Sequence, residues 1–100
     1  MLQVVNFSWF YANEKEVLRR CRPLKHISAT SEDRAATLED ARDMERRVTQ
    51  WLNEDLARQA TKLGGTLLVM RPPGILLGMV TCVGTQKADV YQRSATTPSP

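Results

Sequence analysis

One hundred residues, 42% hydrophobic and 25% charged, suit a single globular domain that buries about two thirds of its surface, and they exclude a wholly disordered chain. The formal charge of +3 is unevenly placed, at about +3 over residues 1–26, about −4 over 27–57 and about +4 over 58–100, a basic, acidic, basic pattern. Two cysteines, Cys21 and Cys82, are too few and too far apart for a disulfide framework, which points to a reducing, intracellular, cytoplasmic setting.

Residues 1–7 lack the basic start and continuous apolar core of a secretory signal. Residues 2–11 are rich in β-branched and aromatic types, with Val5, Phe7 and Trp9 to one side and Asn6 and Ser8 to the other, which predicts a strand. Asn13 then reads as the N-cap of a short helix ending near Cys21, with Glu14 and Glu16 in its first turn and Arg19 and Arg20 in its last, as the helix dipole favours. Pro23 limits that helix. Residues 24–29 fit either a short strand or a connector.

From residue 31 to 63 there is no glycine or proline, and Thr30 with Asp33 forms an approximate capping box. A single helix of that length would run about 50 Å, against a radius of gyration of about 13 Å for a compact domain of this size. It must break or reach beyond the fold. Its apolar stripe is Leu38, Ala41, Met44, Val48, Leu52, Leu56 and Leu63, with Trp51 at one edge and Ala60 at the other. Asp43 with Arg47 and Glu54 with Arg58 are spaced for acid-before-base pairs on the outer side. Asn53, followed by Glu54 and Asp55, could cap a second helix and fold the segment back. Good helix formers on both sides favour continuity, and Lys62 with Gly64 supplies a C-terminus.

Residues 66–70 and 75–83 are apolar runs around Pro73-Gly74, which predicts a β-hairpin turning there. Both runs lack polar alternation, so both faces of the strands need cover, one from the long helix and the other from something else, such as a second subunit. The 18 residues from 66 to 83 approach membrane-spanning length, but the central Arg71-Pro72-Pro73-Gly74 argues against a span. Residues 86–93 fit a short final strand, and 94–100 read as a disordered tail. The fold expected is α+β: a small sheet, made of the N-terminal strand and an apolar C-terminal hairpin, packed against one long amphipathic helix and one short helix. It is one domain over residues 1–93, with the helices on one face of the sheet.

Catalytic and cofactor motifs are missing. His26 is the only histidine, which excludes a histidine-rich metal site within one chain, so no metal and no cofactor are expected. Cys21 lies among Arg19, Arg20, Arg22 and Lys25, which would favour a thiolate, but at a helix C-terminus the dipole opposes it. Glu39, Asp40, Asp43 and Glu45 are balanced by Arg42, Arg46 and Arg47 and read as solvated surface charge. Gly64-Gly65 follows a helix, where a phosphate cradle would precede one.

The function expected is therefore non-enzymatic: a small interaction or assembly module that self-associates as a homodimer, or binds a protein partner. Leu38, Met44, Val48, Trp51, Leu52 and Leu56 would form the helical contact, and Leu68, Met70, Leu76 and Met79 the sheet contact. The alternative is nucleic-acid binding through Arg19, Arg20, Arg22 and Lys25 with Arg46, Arg47 or Arg58, beside the aromatics Trp9, Phe10 and Tyr11. Against it, the arginines of the long helix alternate with acidic residues and do not gather on one face.

Overall fold

In the computed structural model, residues 1–34 and 41–94 are described, and they form seven elements. These are β1 (Gln3–Asn6), α1 (Phe7–Arg20), β2 (Cys21–Arg34), α2 (Ala41–Lys62), β3 (Leu67–Met70), β4 (Gly74–Leu77) and β5 (Thr81–Arg93). The α+β class expected from the sequence is observed. Several boundaries are not.

The first strand stops at Asn6, whose side chain accepts a hydrogen bond from the Trp9 N–H at 2.8 Å and so caps α1. The predicted strand over 2–11 and the predicted cap at Asn13 are both corrected by this. Phe7, Phe10, Tyr11 and Val17 fall at helical spacing, and the Phe7 and Phe10 rings stack at 6.4 Å while Phe10 stacks on Tyr91 at 5.6 Å. The alternation of residues 5–9 was short enough to fit either period, and the cap decides it.

Residues 31–34, expected to open the long helix, instead end β2, a strand of 14 residues paired antiparallel with β5 from Cys21↔Arg93 to Arg34↔Thr81. Thr30 and Asp33 are therefore not a capping box. Helix α2 is described over Ala41–Lys62 and runs unbroken through Asn53, 22 residues or about 33 Å. Gly64, at φ +78°, takes the left-handed conformation expected after its last turn. The part of the helix expected over 35–40, Leu38 included, lies outside the described residues, as do residues 95–100 of the expected tail. Ser94 is tied back by its N–H to the Arg20 carbonyl at 2.8 Å.

The sheet has the order β1-β3-β5-β2, with β1 parallel to β3 and the other neighbours antiparallel, and β4 pairs with β5 beyond the end of β3. Helix α2 buries Met44, Val48, Leu52, Leu56 and Ala60 against Ile27, Ala29, Leu68, Cys82, Ala88 and Val90 on one face. Val17, with Phe7 and Phe10, packs on the opposite face over Val5, Leu67, Val69 and Tyr91. The two helices thus take opposite faces, a correction to the single helical layer expected. Consecutive residues of β3 and of β5 are apolar because each face has its own cover. That cover is uneven, since α1 reaches only the end of the sheet where β1 and β3 lie.

The β2–β5 ladder carries the other end outward. The radius of gyration is 16.1 Å and the principal extents are 59 × 26 × 18 Å, well beyond the roughly 13 Å of a compact 100-residue domain.

Candidate functional site

The protruding end is built from β4, the first half of β5 and the turn between them. Its turn is closed by the Gly78 N–H donating to the Thr81 carbonyl at 2.7 Å, so the hairpin reverses at 78–81 and not at Pro73-Gly74 as expected. The Pro-Pro-Gly segment has a different task. Between Met70↔Ala88 and Gly74↔Thr85, three residues (Arg71, Pro72, Pro73) stand opposite two (Gln86, Lys87), which is a β-bulge. The two prolines are tolerated there because β4 is an edge strand. Buried Gln86 fills the bulge, its Nε2 donating to the Arg71 carbonyl and to the Lys87 carbonyl.

The extra residue inverts β4 relative to β3. Ile75 now pairs with Gly84 and turns onto the α2 face, its Cδ1 close to where a Gly84 Cβ would lie. Leu76, opposite Val83, is thrown to the other face, beyond the reach of α1. Leu76 is 75% exposed, Leu77 53%, Met79 76% and Val80 45%. These side chains form an apolar rim around the hairpin end, with Leu76 on one face, Leu77 opposite Cys82 on the α2 face, and Met79 and Val80 at the turn. Residues 72–86 contain no Asp, Glu, Lys, Arg or His, so nothing charged interrupts it.

Of the ten residues predicted to touch a partner, Met44, Val48, Leu52, Leu56 and Leu68 are at most 1% exposed and belong to the protomer's own core. Met70 is half-buried against the same core. The first five are closed off from an outer contact, because α2 and the sheet cover one another where a free stripe was expected. Trp51, Leu76 and Met79 are exposed. Leu77 and Val80 are not singled out by the periodic pattern, and the signal that finds them is the uncharged run 72–86.

The predicted basic residues do not converge. Arg19 and Arg20 pair with Glu16 at 2.9 and 3.2 Å, and Arg22 donates to Gln92 Oε1 at 2.6 Å. Arg46 and Arg58 pair with Asp43 and Asp55 at 3.8 and 3.3 Å, and Arg47 Nε donates to Asp33 Oδ2 at 2.6 Å. Gln92 links Arg22 to the Gly64 carbonyl, whereas Arg47 sits over the far end of β2. Along α2 these two arginine groups are separated by about 25 Å. Lys25 is exposed. Of the aromatics, Phe10 is taken into the α1 core while Trp9 and Tyr11 keep 37% and 65% exposure.

A second polar cluster lies on the α1 side of β2 and β5. Asp89, with its side chain 10% exposed, accepts from Arg71 Nε at 3.1 Å and Nη2 at 3.0 Å, and its other oxygen lies against His26 Nδ1. The Arg71 guanidinium also sits 5.6 Å from the centre of the Phe7 ring. A carboxylate holding an imidazole is the arrangement that general bases use. Here the His26 side chain is 86% exposed on an open sheet face, with no walls to hold a substrate or exclude water.

Cys21 is half-buried and Cys82 fully buried, both as free thiols. Burial pushes the Cys82 thiol up from its ordinary range, and the carboxylates of Glu45 and Asp33 add to this. Among the described residues no group of three or more His, Cys, Asp or Glu converges as metal ligands, and no helix is long and apolar enough to cross a membrane. No protein-family model, curated protein or solved structure matches the chain.

Proposed function

We propose that this protein is a non-enzymatic interaction module that associates through the uncharged apolar end of its β4–β5 hairpin. The observation that carries this is the exposure of Leu76, Leu77, Met79 and Val80 at the protruding end, where they add nothing to either core cluster. Turn and edge positions ordinarily carry polar or charged side chains, which cost nothing in water and discourage association. Four large apolar groups in such places are accounted for by a surface that covers them. The helical stripe, by contrast, is satisfied within the protomer.

Nucleic-acid binding draws less support, because the arginines sit in two separated groups beside carboxylates and do not line one face. The test of the preferred function is solution mass by light scattering over a dilution series, comparing the wild type with Met79→Glu. Mass rising with concentration in the wild type and staying at one chain in the variant is the expected result. A wild type that remains at one chain up to the highest soluble concentration would remove self-association as its basis.

A further inference from the structure

Resting on that role for the hairpin, we infer that the partner is a second copy of this chain, joined by antiparallel pairing of the two β4 edges about a two-fold axis at Leu76. The backbone sets the geometry. Because the Gly78 N–H bonds to Thr81, alternation along the ladder turns the polar groups of Gly78, Leu76 and Gly74 toward β5 and those of Ile75 and Leu77 toward the open edge. A second β4 running the opposite way places Ile75 against the partner's Leu77 and Leu77 against the partner's Ile75. Every outward N–H then meets an outward C=O, and the two Leu76 residues face each other as a non-hydrogen-bonded pair.

Neighbouring registers of the same parity fit less well. Shifting one way sets an outward group against Pro73, which has no N–H, and shifting the other way runs into the turn at Gly78. Centred on Leu76, the pairing also brings the partner's Met79 and the partner's Val80 to the level of Pro73 and Pro72. There a groove of about 550 Å³ opens between the end of β1, the bulge and α2, its apolar lining including Val4, Phe7, Met70, Pro72 and Pro73. The exposed tip of each copy thus meets the groove of the other, the reciprocal contact that a two-fold interface requires.

The run 72–86 is uncharged, and Arg71, which also lines the groove, is neutralised by Asp89, so two positively charged chains can meet there.

Two measurements on the full chain test this. In a Cys21→Ser background, Leu76→Cys is expected to form a disulfide-linked dimer under mild oxidation in high yield, since facing residues of a non-hydrogen-bonded pair lie about 4.5 Å apart at Cα. Trp51→Cys, also at an exposed position but on α2, is expected to stay monomeric. By hydrogen exchange, the Ile75 and Leu77 amides are expected to lose at least tenfold protection when the dimer is diluted to monomer, while the Leu76 amide, bonded to β5, changes little. A concentration-dependent dimer that leaves the Ile75 and Leu77 amides unprotected, or that does not cross-link at position 76, overturns the edge pairing while the hairpin's wider role stands. A wild type that never dimerises overturns the edge pairing and removes self-association as the basis of the hairpin's role.

Discussion

Replacing Gly84 by alanine tests whether the apolar stripe of α2 is satisfied inside the protomer. A Cβ at that position would lie 2.5 Å from Val48 Cγ1, 2.9 Å from Leu52 Cδ1 and 3.1 Å from Ile75 Cδ1. All three obstacles are side-chain ends, so the helix can yield, but Val48 and Leu52 are only 1% exposed and relief at one atom crowds the next. Overpacking of this kind costs roughly 1–3 kcal/mol, and alanine returns roughly 0.4–1 kcal/mol by restricting the unfolded chain. The expected net loss is about 1–2 kcal/mol, or a fall in Tm on the order of 5–15 °C for a domain of this length. Gly74→Ala is the control: its Cβ would meet only the Thr85 carbonyl oxygen, at 3.8 Å, so a stability change of about 0.5 kcal/mol or less is expected. Urea unfolding followed by tryptophan fluorescence reads both, in a Leu76→Lys background so that association does not contribute. If Gly84→Ala proves as stable as its parent, α2 does not lie on β5 as described, and Val48 and Leu52 are free for an outer contact after all.

Arg47 donating to Asp33, with the Arg34 N–H, holds the Asp33 carboxyl below its ordinary value of 3.8. Since the folded value is the lower one, this contribution is present above the unfolded value and is lost as pH falls through the folded one. Urea midpoints of the wild type should therefore fall more steeply below about pH 4 than those of Asp33→Asn, and parallel curves would refute the assignment. For the cluster on the opposite face, Arg71→Met and Asp89→Asn are each expected to cost roughly 1–3 kcal/mol. The double variant should lose clearly less than the sum of the two, and simple additivity in the same unfolding assay would show that the pair does not interact.

Features set by local chemistry were legible in the sequence. The stop of α2 at Gly64, its continuity through Asn53 and the division of its residues into buried and exposed sides all follow from helix spacing and from what a left-handed residue permits. Strand β2 was not legible, because Ile27 and Ala29 are its only buried residues and its charged end, Glu32-Asp33-Arg34, looks like a helix start. Pairing with β5 imposes the strand, and that partner is more than 40 residues away in sequence. The same holds for the candidate site. Met79 and Leu76 could be named as apolar hairpin residues, but which of them the fold leaves uncovered depends on the bulge at Arg71–Pro73. Pro73-Gly74 carries the signature of a turn, and a turn was the simplest reading of it. The bulge uses the same fixed φ and missing N–H to break the edge and shift its register by one.

That shift separates two edges of the same sheet. The outer strand β2 carries Pro23 and a register irregularity at its start, Lys25 beyond them, three charged residues at its far end, and a Gln59 side chain from α2 bonded to the Ser28 carbonyl at 3.1 Å. These are the devices that keep an edge from recruiting another strand. Strand β4 has none of them within its length: Gly74, Ile75, Leu76 and Leu77 carry no charge, and Pro73 ends the pairing on one side only. Stability of the isolated fold does not require this difference, since a charged side chain at Leu76 would cost little where three quarters of the residue is already in water. An edge that could be guarded cheaply and is left greasy is therefore better explained by a strand that pairs with it than by the needs of the protomer, and the two-fold complementarity of Ile75 and Leu77 supplies that strand from the chain itself.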